Sequence, residues 1–253
     1  MLRKCGMRSE SVDNKKQIYY ARTYRRLQIR RTPGMVLALL VILTAVVVFV
    51  VNMNRLTGAL TQIATEILCK VIPAERIQLC TTEYSLFGTI TYINLPAAPV
   101  TQKMIGINLL VCAVGLVVMR LLRRTGTPFA IFALFVVLTH MVSCVFFWFA
   151  GAHFPYTLGQ YSELYVKQQI GIWLVFFVLA GLIGERDYLF KSVMFVSVMC
   201  YSFVFGTVRY ILFLYLLHVG SLLYMAVLFF VFGPMFDFSY LVAFYAIFMN
   251  KNT

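Results

Sequence analysis

Acidic side chains are scarce in this chain of 253 residues: nine Asp and Glu stand against 22 Lys and Arg, with only three His and two Trp. Charged residues of both signs make up 12%, about half of what a soluble domain carries. The six cysteines (Cys5, Cys69, Cys80, Cys112, Cys144, Cys200) contain no Cys-x-x-Cys pair, so their spacing supports no structural zinc site and no metal is expected. What replaces charge is apolar surface, with 61% hydrophobic and 16% aromatic residues. A soluble domain of this size cannot hide that much behind a polar shell. Soluble enzymes, disordered tails and disulfide miniproteins are excluded. The expected fold class is an all-α polytopic membrane protein of six to seven transmembrane helices, with a small extracytoplasmic cap made of an amphipathic helix and a β-ribbon.

The charge that exists is unevenly placed. Residues 1–34 hold ten Lys and Arg (Arg3, Lys4, Arg8, Lys15, Lys16, Arg22, Arg25, Arg26, Arg30, Arg31) against Glu10 and Asp13. The first apolar run, Gly34 to Val51, follows at once. Such a flank stays cytoplasmic under the positive-inside rule. It is longer than a signal-peptide n-region and no small-x-small site follows, so the run reads as an uncleaved anchor. Tyr19, Tyr20 and Tyr24 alternate with arginines as in a nucleic-acid arm. Because the cluster runs straight into a span, the partner expected for it is a bilayer with anionic headgroups, and no nucleic acid.

Further spans are expected at 105–119, 129–150, 168–184, 190–206 and 210–232, each near the roughly 20 residues that a bilayer core requires. A shorter stretch, 239–249, follows Gly233, Pro234 and Asp237. The run from Tyr188 to Phe232 is too long for one span, and the expected break is Gly206–Arg209, where a glycine and a charge coincide. Alternation from a cytoplasmic N-terminus puts Arg120, Arg123, Arg124, Arg186 and Lys191 inside. Arg55, Lys70, Arg76, Lys103, Lys167 and Arg209 then fall outside. The location read from this is the plasma (inner) membrane, multi-pass.

Residues 52–104 form the sizeable outer insert. Leu56, Leu60, Ile63, Ile67, Leu68 and Val71 recur at helical spacing opposite Thr61, Gln62, Thr65 and Glu66, and Pro73 stops the pattern. The segment reads as an amphipathic helix lying flat in the interface. Tyr84, Leu86, Ile90 and Tyr92 alternate with Ser85, Thr89 and Thr91 around Gly88, the pattern of a short β-hairpin or extended ribbon. Cys69 and Cys80 both fall in this insert and are the candidates for a disulfide. The remaining cysteines read as small apolar fillers.

Ionisable groups inside a bilayer are functional candidates by default. His140 sits mid-span with Cys144 one turn away, and His218 lies at similar depth in a later span. Two such histidines are the arrangement that a b-type haem uses. With three His in all and no second ligand pair, the reading adopted is neutral imidazoles bonded to neighbouring groups, with no cofactor. Arg209, at the outer end of its span, and His218 are the expected partner-binding residues.

The order of elements — a surface helix, an outer ribbon, an inward span from Thr101, an outward span around His140–Ser143, and an outer loop with Glu163 — resembles the exosortase/archaeosortase family. Its members are membrane proteins thought to act as cysteine transpeptidases on the sorting tails of exported proteins. The resemblance implies a membrane core over 35–184 with the insert 52–104. To these it adds the basic segment 1–34 and a C-terminal hairpin with a short terminal segment over 185–253. The family pattern places its Cys at Thr101, its Arg at Ser143 and its His at Glu163, so none of its reacting groups is matched. Two other constellations remain: a rearranged Cys144–His140 pair, and a non-thiol site of Glu163, Ser143 and Thr101.

The function expected is a non-catalytic exosortase-like subunit that binds another membrane protein and supports a larger envelope machine for exopolysaccharide synthesis or protein export. The alternatives are an exosortase-type transpeptidase, and a transporter or haem-binding subunit; a transporter would carry more intramembrane charge and internal repeats. The topology is directly testable. Impermeant thiol labelling is expected to reach Cys80 from outside and Cys5 only after the cytoplasmic face is opened, and labelling of Cys5 from outside overturns the orientation.

Overall fold

The computed structural model describes residues 33–85, 88–122, 128–151, 154–182 and 188–250. The basic segment 1–32, with Cys5, and the loop charges Arg123, Arg124 and Arg186 lie outside the described residues. Along the described chain run α1 (Pro33–Val51), α2 (Met53–Leu68), a 3-10 turn (Ala74–Arg76), β1 (Gln78–Glu83) and β2 (Thr89–Asn94). They are followed by α3 (Gln102–Leu122), α4 (Pro128–Ala150), α5 (Leu158–Leu182), α6 (Tyr188–Gly220), a 3-10 turn (Leu222–Tyr224), a π-helical segment (Val227–Phe232) and α7 (Gly233–Asn250). Pro33 and Pro128 open α1 and α4, where a missing N–H removes no helical bond.

Four segments are long and apolar enough to cross a membrane among the described residues: Gln102–Leu121, Ala130–Ala150, Val193–Gly220 and Leu222–Phe244. A fifth is present if Leu43–Val51 and Met53–Leu68, bent by 58°, act as one broken span. The bend falls at Asn52, whose side-chain amide donates to Val48 O (2.8 Å) and competes with the helical ladder. The chain is a mostly helical membrane protein.

α2 is amphipathic, but the face it buries is not the one its large apolar residues suggest. Met53, Thr57, Leu60, Thr61, Ala64 and Leu68 are buried, whereas Ile63 and Ile67 are 40% and 42% exposed. Thr57 and Thr61 tolerate burial because their hydroxyls donate to the carbonyls of Met53 (3.1 Å) and Thr57 (2.9 Å) one turn back. Small residues let β2 approach, and Thr61 Oγ1 meets Thr91 Oγ1 at 3.0 Å. The helix therefore does not simply lie flat: one stripe packs on protein while Ile63, Ile67 and Val71 face outward.

A two-stranded antiparallel ribbon forms, with Leu79 opposite Ile93, Cys80 opposite Tyr92 and Thr82 opposite Ile90, but its first strand precedes the expected alternation, and Tyr84 and Ser85 lie in the turn. It turns through Ser85 (φ 26°) and Gly88 (φ 73°), and Tyr84 N–H donates to Gly88 O (2.8 Å). β1 is largely exposed, but β2 is inserted between α2 and α5, so Ile90 and Ile93 are both fully buried. A buried strand edge must find acceptors elsewhere. The Ile93 N–H donates to Ser162 Oγ (3.2 Å) and Tyr210 OH (3.0 Å) on α5 and α6. Cys69 and Cys80 do not pair; both thiols are free. Pro73 and the 3-10 turn carry the chain between them, leaving Cys69 exposed at the end of α2 and Cys80 in the ribbon opposite Tyr92.

α5 is the core helix. Leu158, Tyr161, Ser162, Tyr165, Val166, Gln169, Ile170, Trp173, Phe176 and Phe177 are buried along it. Helix α5 covers the span expected at 168–184 as far as Leu182 but begins ten residues earlier with a polar first half, and among the described residues it is not one of the segments apolar enough to cross a membrane. The break expected at Gly206–Arg209 is absent: α6 is continuous for 33 residues and ends at Gly220. A helix of that length extends about 50 Å, more than the roughly 30 Å hydrocarbon core. The true interruption is Ser221, at φ 91°, whose hydroxyl accepts from Leu223 N–H. The stretch 239–249 belongs to α7 and joins 222–232 in one candidate span.

The packing of α2 yields a stability test. Leu60→Ala is expected to cost about 2–5 kcal/mol, the range for a fully buried Leu, whereas Ile63→Lys with Ile67→Lys spares the fold. Thermal unfolding in detergent separates the two, and equal destabilisation contradicts the assigned face.

Candidate functional site

The most elaborate polar cluster is centred on Arg209, which is 3% exposed. Its Nε donates to Tyr165 OH (2.7 Å), Nη1 to Gly233 O (2.8 Å) and Nη2 to Gln169 Oε1 (3.2 Å). Asp237 Oδ2 lies 2.9 Å from Nη1 as an ion pair. The guanidinium also sits over the Tyr165 ring, 5.2 Å from its centroid. α5, α6 and α7 are thus tied to one cation. Arg209 is buried against its own chain and does not snorkel to the headgroups; the expectation placed it at the boundary because the sequence does not show that Asp237 returns to it.

Local structure explains the convergence. A Cβ at Gly206 would meet the Gln169 amide at 2.9 Å, so glycine lets α5 approach α6, and Tyr165 OH donates to Gly206 O (3.0 Å). Pro234 lacks the N–H that would bond Phe230 O, and the turn before it is π-helical, with Gly233 N–H reaching back to Leu228 O. Gly233, whose carbonyl faces Arg209, would push a Cβ to 3.2 Å from Gln168 Nε2. Beside the hub, Ser202 Oγ receives bonds from Gln169 Nε2 and Trp173 Nε1 (both 3.1 Å) and lies 2.9 Å from Tyr240 OH. Tyr165 stacks on Tyr210, whose hydroxyl meets Ser162, so the network continues to β2. Three groups around it lack a well-formed hydrogen bond: Tyr161 OH, Gln168 Oε1 and both Asp237 oxygens.

The expected non-thiol constellation is not assembled as a site. Thr101 Oγ1 accepts Met104 N–H at the start of α3, Ser143 Oγ donates to Leu223 O (2.9 Å), and Glu163 pairs with Lys167 one turn on. His218 is engaged differently from His140. Its Nδ1 bonds Pro96 O and its own carbonyl accepts from Ala98 N–H (3.1 Å), fastening the 96–98 segment to the end of α6.

Helices α3 and α4 bring together a group that spacing along the chain does not reveal. Cys144 Sγ lies 3.8 Å from His140 Nε2, and Cys112 from α3 joins them, so that the three ligand atoms lie within 4.8 Å of one another. Asn108 Nδ2 donates to Met104 O (2.8 Å), which orients its Oδ1 to accept from His140 Nε2 (3.1 Å) and Tyr224 OH (2.9 Å). The Tyr224 ring stacks on the imidazole at 4.9 Å.

An open cleft of about 580 Å³ lies where the insert meets the bundle, lined by Glu75, Arg76, Gln78, Asn94, Pro96, Tyr156 and Thr157 among others. No family model matches this chain, and comparison with curated proteins and with solved structures gives no match in either case.

Sequence reasoning missed Tyr165, Gln169, Asn108, Cys112 and the role of Asp237. One signal existed for the last: Asp237 is the single carboxylate between Tyr188 and the final Thr253, and an intramembrane arginine needs a counter-charge. Removing either partner strands a buried charge, so Asp237→Leu or Arg209→Met alone is expected to cost about 3–5 kcal/mol. Unfolding in detergent reads this directly, and a change below 1 kcal/mol would mean the pair is effectively solvated.

Proposed function

We propose that this chain is a non-catalytic integral membrane subunit with an exosortase-like body, which binds and supports a larger envelope machine such as a membrane glycosyltransferase or a protein exporter. In this reading the N-terminus is cytoplasmic, the basic flank rests on anionic headgroups, and the insert with its ribbon is an extracytoplasmic cap. The observation that carries it is the contrast between two kinds of polar surface. The buried groups are turned inward: Arg209 on α6 bonds to Tyr165 and Gln169 of α5 and to Gly233 and Asp237 of α7. Among the polar groups offered outward, exposed Glu75, Arg76 and Gln78 border the cleft and face the segment that His218 fastens. A cleft with both charge signs and an aromatic edge at Tyr156 fits a polar segment of a protein partner.

Thiol chemistry of the exosortase type has one favouring contact, the Cys144–His140 approach at 3.8 Å. Nucleophilic attack requires access, and Cys144 is fully buried. A threonine hydroxyl at position 101 is a poor nucleophile without a base beside it.

Purification from native membranes is expected to bring a membrane partner in stoichiometric amount. Arg76→Glu, an exposed change that alters folding stability by about 0.5 kcal/mol or less, is expected to reduce that co-purification at least tenfold. Peptide cleavage or transfer by the purified chain, abolished by Cys144→Ala, overturns the subunit reading.

A further inference from the structure

We propose that Cys112, His140 and Cys144, with Asn108, form a binding site for a thiophilic d10 cation, Zn(II) by its charge balance, between α3 and α4. The inference does not depend on the subunit reading. Two thiols and an imidazole converge from two helices with every ligand atom within 4.8 Å of the others. Cys144 is fully buried and Cys112 is 4% exposed, so neither thiol is a surface group found there by chance.

Two of the six edges of the four-ligand set are close to those of a tetrahedral site. Zn–S bonds of about 2.3 Å and Zn–N bonds of about 2.0 Å imply tetrahedral edges of roughly 3.5 Å between S and N, and about 3.3 Å between N and O. The corresponding separations are 3.8 Å for Cys144 Sγ to His140 Nε2 and 3.1 Å for Nε2 to Asn108 Oδ1. Asn108 is the available fourth ligand, since its Nδ2 bond to Met104 O and the Tyr224 hydroxyl hold its oxygen toward the imidazole. Tyr224, stacked on the ring, fixes the imidazole plane. These contacts hold the Asn108 oxygen and the imidazole plane in place. With Nε2 on the ion the ring proton sits on His140 Nδ1, which is buried without a hydrogen-bond partner.

Soft sulfur and imidazole donors select Zn(II) or Cu(I) over hard cations. Charge distinguishes the two. Zn(II) binding displaces one proton from each thiol, so the ion, two thiolates, a neutral imidazole and an amide sum to zero and two protons leave. Cu(I) with the same two thiolates leaves one negative charge in an apolar surrounding, which is costly.

The test uses the full chain in detergent, stripped with chelator under reducing conditions and titrated with Zn(II), with Co(II) as spectroscopic probe and with Cu(I) in a separate arm. One Zn(II) per chain is expected, with release of two protons and, for Co(II), a tetrahedral thiolate-to-metal absorption. Cys112→Ser and Cys144→Ser are each expected to weaken binding at least a hundredfold and abolish the band, while Cys69→Ser and Cys200→Ser leave both unchanged. Should a ligand variant fail to fold, Asn108→Ala and His140→Gln in the folded chain must shift the Co(II) spectrum. Absence of binding by the wild-type chain, binding indifferent to Cys112 and Cys144, a Cys112–Cys144 disulfide as the stable state under the reducing titration, or binding of Cu(I) without Zn(II), overturns the assignment.

Discussion

A guanidinium buried in an apolar helix bundle must be neutralised and hydrogen-bonded, or the bundle does not form. Taking such an ion out of water costs several kcal/mol even after relaxation. Arg209 meets that demand with Asp237, the Tyr165 hydroxyl, the Gln169 amide and the Gly233 carbonyl. Much of the local architecture follows. α6 continues through residues 206–209 because the charge there is compensated inside. Gly206 has no side chain because Gln169 occupies the space. The π-helical turn before Pro234 precedes the carbonyl that Arg209 uses.

The same demand shapes the interior more broadly. In lipid, apolar helices gain little from burying apolar surface against one another, and association rests on packing and polar contacts. The core accordingly mixes large aromatics with hydroxyls and amides: Trp173, Tyr165 and Tyr210 stand beside Ser162, Gln169 and Ser202. Ile107, Leu110, Val111 and Val114 on α3 and Val142 and Phe149 on α4 point outward instead. From the Arg209 hub the contacts lead through Tyr165, whose ring stacks on Tyr210, to the Ile93 N–H on β2's buried edge, which donates to the Tyr210 hydroxyl. The ribbon is in this way anchored to the core helix rather than resting on it, and the cleft beside it has fixed walls.

The membrane class, an amphipathic helix after residue 52 and a ribbon turning at Gly88 were legible because composition and alternation act locally, although the helix ends at Leu68, before Pro73, and the first strand is Gln78–Glu83. What was not legible depended on pairings between distant residues. Ile63 and Ile67 look like the buried face of α2, yet the small stripe of Thr57, Thr61 and Ala64 is buried because β2 packs closely there. Gly206 beside Arg209 looks like a break until Asp237, twenty-eight residues on, is seen to cancel the charge. Cys112 lies 28 positions before His140, outside any recognised ligand spacing, and only the packing of α3 on α4 joins it to Cys144. Thr101, Ser143 and Glu163 each hold a local contact that no spacing rule reports.

In the proposed function Arg209 serves the fold and the cleft serves partner binding. The most direct measurement is the double substitution Arg209→Met with Asp237→Leu, followed by unfolding in detergent and by partner co-purification from native membranes. With both charges gone no ion is stranded, so the chain is expected to recover most of the stability lost in either single variant and to retain its partner. A doubly substituted chain that folds normally but has lost its partner would show that the buried pair itself serves function, and would contradict the account.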